Sequence, residues 1–176
     1  MCGICGELNF KSTASLDVVN AMLPKLEKRG PDFGDTWHHD RVAFGHRRLA
    51  IIDLSEKSHQ PMRDVELNLH VVFNGTIYNY KQLRETLRGK GYHFFSDGDT
   101  EVILKAYDHW GEDCVIHLHG MFAFSIWDEQ KRSLFVARDR MGIKPLYFSK
   151  TDKAFRFASN IQALMAAGQV DTDIDS

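Results

Sequence analysis

The stretch that most restricts the fold lies in the last third of the chain. GMFAFSIWD (120–128) is apolar enough for a buried strand, Glu129–Arg132 supplies a turn, and SLFVARD (133–139) returns. Strands joined by so short a connection must run antiparallel. The same pattern recurs elsewhere. Gly3 to Phe10 (GICGELNF) reads as a buried strand, and residues 34–54 read as strands around a turn at His39-Asp40. LHVVFNG (69–75) reads as a strand ending in Asn74-Gly75, a strong tight-turn signal. Tyr92 to Phe95 is a further short strand, and residues 140–148 form a loop entering another, followed by AFRFAS (154–159).

Helical spacing falls between these strands. Residues 16–27 carry it through Leu16, Val19, Leu23 and Leu26, with Ser15 as N-cap and Pro24 expected to kink or split the run. YKQLRETLRGKG follows Asn79, which with Gln82 has capping-box spacing. TEVILKAYDHWG follows Asp99, itself placed to cap, and Asn160 opens a short last helix ending at Gly168. Residues 55–66, with His59-Gln60-Pro61, are polar and read as a loop. The regular alternation of a doubly wound parallel sheet is missing, as are GxGxxG and P-loop motifs. The expectation is an α+β domain of antiparallel sheets packed under helices. At 176 residues the chain can bury a sizeable core.

Composition excludes several functions. The net charge is -2 and the basic residues are scattered, so there is no nucleic-acid footprint. No apolar run reaches the roughly 18 residues of a membrane span, and the start lacks the regions of a signal peptide. A cytoplasmic protein without membrane contact is expected. Three cysteines make no disulfide framework, in keeping with a reducing compartment.

The chemistry-bearing candidates begin at the second residue. Methionine is normally trimmed before a small residue, which would leave Cys2 with a thiol and a free α-amine. These titrate at about 8.5 and about 7.7–8.0, so nucleophile and general base would share one residue. On position alone, an incidental strand start is the favoured reading. Cys2-x-x-Cys5 also has zinc or redox spacing, but no second ligand pair follows. Cys5 is better read as core. Arg48 lies in VAFGHRRLAIIDL, where a charge needs an anionic partner, either a neighbouring carboxylate or a ligand.

Seven stretches occur in order: Cys2-Gly3-Ile4, RGPD (29–32), HRRLAIID (46–53), FNGTIYN (73–79), GDTE (98–101), GMFAF (120–124) and RDRMGIKPLY (138–147). Together they resemble the glutaminase domain of asparagine-synthetase-type amidotransferases, class II enzymes with an N-terminal nucleophile. The resemblance covers essentially the whole chain and implies a four-layer αββα sandwich. It implies Cys2 as the nucleophile toward the side-chain amide of L-glutamine, with its α-amine moving the proton. Asn74 and the Gly75 N–H match the oxyanion hole. Arg48 matches the grip on the glutamine α-carboxylate, Asp99 the partner of its α-ammonium, and Leu49, Ala50, Ile51 and Ile52 line the substrate.

One position departs from the family pattern. Thr76 stands where a glutamate usually helps hold the ammonium, which implies weaker glutamine binding. VVFNGTIYNY, FFSDGDTEVILKAYDHWG and FASNIQALMAAGQVDTDID are most similar to bacterial N-acetylglutaminylglutamine amidotransferases, which make an osmoprotectant. The family continues into an ATP-dependent synthetase domain, for which no Ser-Gly-Gly-type loop is present. Residues 1–168 are therefore expected to be the glutaminase domain and 169–176 the start of a linker. No cofactor is implied in this domain, since ATP and Mg would belong to the synthetase domain in cis. A homodimer is among the assemblies allowed. The competing reading is an idle regulatory or structural domain that keeps the fold.

Overall fold

The computed structural model describes residues 1–168, so the expected linker lies outside the described residues. Among the described residues, nine strands form two antiparallel sheets. The five-stranded sheet has the order β2 (Phe33–His39), β3 (Val42–Arg48), β1 (Gly3–Asn9), β9 (Ala154–Ala158), β8 (Tyr147–Lys150). The four-stranded sheet has the order β4 (Met62–Asp64), β5 (Leu69–Ile77), β6 (Gly120–Asp128), β7 (Ser133–Arg138). The expected hairpin is β6–β7, with Asp128 opposite Ser133.

Strand alternation sorts the apolar residues into three layers. Ile4, Val42, Phe44, Val72, Ala123, Trp127 and Phe157 form a core between the sheets. The opposite face of the first sheet packs Cys5, Ala43 and Ala158 against α1 (Leu16–Met22) and α5 (Ile161–Ala166). The outer face of the second sheet packs Val71, Phe73, Phe124 and Ile126 against α2 (Tyr80–Arg88) and α3 (Thr100–Trp110). This is the four-layer αββα sandwich that the resemblance implied, and it agrees with the antiparallel sheets under helices read from the residues. A short helix α4 (Cys114–His117), unforeseen, leads from α3 to β6. Ser15 and Asn160 cap α1 and α5 by accepting N–H bonds from Asp17 and Ala163. Pro24 splits its helix as expected, opening a 3₁₀ turn at Leu23–Leu26.

Four local expectations are corrected. Asn74-Gly75 is no turn: β5 runs through it, paired with Ala123 and Phe122. The glycine is required by closeness, since a Cβ on Gly75 would lie 2.3 Å from the Met121 carbonyl oxygen. β3 stops at Arg48, because the next amides turn to side chains: Leu49 donates to Cys2 Sγ and Ala50 to Asp32. Tyr92 to Phe95 forms no strand, as the Phe95 and Ser96 amides are taken by the buried Glu101 carboxylate. Asn79 makes no capping box with Gln82. Its side chain bonds the His117 carbonyl and the His119 amide, tying α2 to the entry of β6.

Candidate active site

The parity that builds the inner core also builds the site. Cys2 shares a face with Ile4, Arg48 with Phe44, and Asn74 with Val72, so all three point between the sheets. They emerge where the sandwich opens, in a cavity of about 160 Å³. Its lining includes Cys2, Arg48, Leu49, Ile51, Ile52, Asn74, Gly75, Thr76 and Asp99. Of the site residues that the resemblance implied, Ala50 alone does not line it. Its amide instead anchors the segment to Asp32.

Cys2 is held from two sides. The Leu49 amide lies 3.3 Å from Sγ, and Arg29 Nε donates to the Cys2 carbonyl at 3.0 Å. Burial pushes the thiol above its ordinary value, against the Leu49 bond, the chain-terminal amine and Arg48. A thiol raised in this way stays protonated near neutrality and needs a base to act as nucleophile. Cys5 faces the helix layer and has no part in the cavity.

Two amide donors face the thiol's cavity. Asn74 is 1% exposed, and neither its Nδ2 nor its Oδ1 has a partner among the described residues. Leaving a buried amide unpaired costs about 1–3 kcal/mol, so the position is built for something that fills it. The Gly75 N–H follows from register. Phe122, opposite Gly75, exchanges its own backbone bonds with Asp139 on its far side. On the near edge of β5, the Phe73 N–H goes to Gln60 Oε1 at 2.6 Å and the Ile77 N–H to Asp99 Oδ2 at 2.9 Å. N–H groups two residues apart point the same way. The Gly75 N–H therefore lies between these two on the cavity edge.

Opposite charges stand at the two remaining walls. Arg48 is 6% exposed and forms no ion pair among the described residues. Its guanidinium donates to the Ser55 carbonyl at 3.1 Å and to that of Asp53, and no carboxylate among the described residues pairs with it. Asp99 stands at the N-cap of α3 but makes no cap bond; its carboxylate turns to Ile77 instead. Burial raises it to about 6, although the Ile77 amide and Arg84 pull it down. Thr76, between them in sequence and lining the cavity, brings no charge.

The surroundings that hold these walls were not visible in the sequence. Asp53 gathers the Ser55 amide, the Ser58 hydroxyl and the Asp97 amide, joining the two loops over the cavity. Although partial burial opposes it, those bonds hold the Asp53 carboxylate well below the usual range. Arg84 donates to the Ser96 and Gly98 carbonyls, and Glu101 accepts from the Phe95 and Ser96 amides just before them. Lys144, from the RDRMGIKPLY stretch, also lines the cavity. Among the described residues no group of three or more His, Cys, Asp or Glu could hold a metal, and no helix is long and apolar enough to cross a membrane.

The glutamine amidotransferase domain model matches residues 1–176. Asparagine synthetase [glutamine-hydrolyzing] 3 of Bacillus subtilis (strain 168) is 41% identical over 99% of this chain and 29% of that protein. Amidase chry2 of Gibberella zeae is 36% identical over 92% of this chain and 24% of that protein. This chain thus spans under a third of the length of these relatives. Among solved structures, glutamine phosphoribosylpyrophosphate amidotransferase from B. subtilis, complexed with ADP and GMP, superposes with a TM-score of 0.79. At 22% identity, covering 96% of this chain and 44% of that one, it shows the shared fold.

Proposed function

The chain belongs to the glutamine amidotransferase domain family, and from that premise we propose that it hydrolyses L-glutamine through a thioester on Cys2 and delivers the ammonia. The observation that carries this reading is the unpartnered Asn74 amide beside the Gly75 N–H, in one cavity with the Cys2 thiol. With Met1 removed, the α-amine takes the thiol proton as Sγ attacks the side-chain carbonyl carbon of glutamine. Negative charge gathers on the carbonyl oxygen, where Asn74 and Gly75 donate. The proton then passes to the leaving nitrogen, ammonia departs, and the acyl group remains on sulfur. Water next attacks the thioester, releasing glutamate and restoring the thiol.

Arg48 and Asp99 define the substrate. A guanidinium without a carboxylate partner suits the α-carboxylate, and an unpaired buried carboxylate suits the α-ammonium. Free glutamine carries both charges on one carbon; a glutaminyl residue within a peptide carries neither. The cavity is about the size of engineered ones that hold benzene, which is the scale of a single amino acid.

The ammonia is proposed to serve an ATP-dependent synthetase domain in cis, since this chain covers only 29% and 24% of the two relatives. Their names, asparagine synthetase and amidase, indicate that this domain is shared among different chemistries. The acceptor proposed here is N-acetylglutaminylglutamine, in the cytoplasm, on the resemblance of VVFNGTIYNY and the stretches around Asp99 and Asn160. ATP-dependent amidation of that dipeptide by the full-length protein, in preference to aspartate, is its test. For the domain itself, ammonia release from glutamine is measured with the processed protein and with Cys2→Ala, Met1 loss being checked by intact mass. Cysteine-dependent release is expected. Its absence from correctly processed protein favours the idle-domain reading instead.

A further inference from the structure

The loop after β7 is built to place one side chain. Arg138 donates through Nε to the Lys144 carbonyl at 2.6 Å and through Nη2 to that of Gly142. Asp139 accepts from the Ile143 amide at 2.9 Å and the Lys144 amide at 3.0 Å, and from Phe122 on β6 at 3.2 Å. Gly142 has φ +62, and a Cβ there would also meet the Arg138 guanidinium at 2.9 Å. Carbonyls and amides of the turn are thus both tied to its first two residues. The outcome is a lysine 5% exposed in the wall of the catalytic cavity.

That lysine forms no ion pair among the described residues. Asp139 spends its oxygens on backbone amides. The side-chain partner of its Nζ is Met1 Sδ at 3.3 Å. A thioether is a poor mate for a buried ammonium, and removal of Met1 takes even that away. With Met1 gone, Lys144 and the N-terminal Cys2 line the same cavity, and Arg29 holds the Cys2 carbonyl.

Resting on the reading of Cys2 as an N-terminal nucleophile, we infer that Lys144 is a positioning residue that keeps the Cys2 α-amine uncharged and favours the thiolate. An α-ammonium cannot accept the thiol proton, and a neighbouring cation disfavours exactly that charged form. The same cation stabilises negative charge on sulfur. The charged groups around Cys2 are Arg29 from the turn after α1, Arg48 at the end of β3, Asp99 at the head of α3, and Lys144 itself. Of the anions, Asp99 opposes the effect at Cys2, and Asp139 lies beside Lys144 with its oxygens on backbone amides. Burial, and then Arg29, push the Lys144 ammonium below its ordinary value, while the Cys2 and Asp139 charges pull it back up.

The test uses the processed protein with Lys144→Met, Lys144→Gln and Lys144→Arg. Two profiles against pH are measured: glutaminase kcat/KM, and the rate of Cys2 alkylation by iodoacetamide. Cys5 and Cys114 are fully buried, so alkylation reports Cys2. Removing the cation is expected to move the acid limb of kcat/KM and the alkylation midpoint upward by about 0.5–1 pH unit, the size of one charge's effect a few ångströms away in a partly wet site. Arginine is expected to restore both. Unshifted profiles in both neutral variants overturn the inference. The alkylation arm needs no turnover, so a wild type without glutaminase activity sinks the functional reading while Lys144 is still judged.

Discussion

Asn74 shows what the residue scale can decide. Its amide is buried without a partner, which an inner-core position would tolerate only at a cost. If that amide serves charge on a transition-state oxygen, Asn74→Ala should lower kcat about 10²–10³-fold and leave KM nearly unchanged. A mainly raised KM would instead make Asn74 a substrate-binding group. Thr76 gives the converse case. A glutamate there would add a charge-assisted bond to an ammonium, worth about 1.5–3 kcal/mol. Thr76→Glu is therefore expected to lower the KM for glutamine by roughly one to two orders of magnitude, and an unchanged KM would show that Thr76 already suffices. Arg48 could be picked out from the sequence because a cation in an apolar strand asks for an explanation. Lys144, Gln60 and Asp53 could not. Each is an ordinary loop residue until tertiary structure sets it against the cavity.

Gly75 carries the argument at the scale of elements. Its Cβ would fall 2.3 Å from the Met121 oxygen and 2.8 Å from the Phe122 Cα, both backbone atoms of β6. Gly75→Ala must push β5 from β6 at the site. We expect a loss of about 1–3 kcal/mol, seen as a melting temperature lower by roughly 2–12 °C, with glutaminase activity falling more than stability. Equal activity at equal melting temperature would show that the strands adjust freely. The same glycine explains a misreading. Asn-Gly is a turn signal because both residues tolerate positive φ, yet here the glycine answers a close approach and no positive φ occurs at either residue. Sequence distinguishes poorly between these two uses of glycine. The hairpin β6–β7 and helices α1, α2, α3 and α5 were legible because their periodicity faces one apolar layer. Residues 92–95 were not, because their amides are claimed by Glu101, six residues ahead of Phe95 and on another element.

At the scale of the whole molecule, the site and the inner core pull stability in opposite directions with pH. His46, wholly buried between the sheets, is pushed down to about 3 by burial, against the pull of the Phe73 backbone. The unfolded chain takes up its proton below about 6.5, so His46 makes the fold lose stability as pH falls from there. His70 acts with the same sign, lowered by burial against the pull of Glu129. Asp99 acts oppositely. Its folded value of about 6 exceeds the ordinary 3.8, so the folded chain gains a proton first, and the cost of its buried charge is relieved as pH falls from 6 toward 4. Asp99→Asn keeps an oxygen for the Ile77 amide while removing the charge. At pH 7.5 it should be more stable than wild type by up to about 3 kcal/mol, or up to roughly 6–12 °C in melting temperature. The gap should close by about pH 4, and the acid decline of the variant should be steeper, with the histidines unopposed. Glutamine affinity should fall in the same protein, because the ammonium has lost its partner. A stability gain independent of pH would place the benefit in packing. A variant both more stable and unimpaired in glutamine binding would show that Asp99 is a buried liability without a substrate to hold.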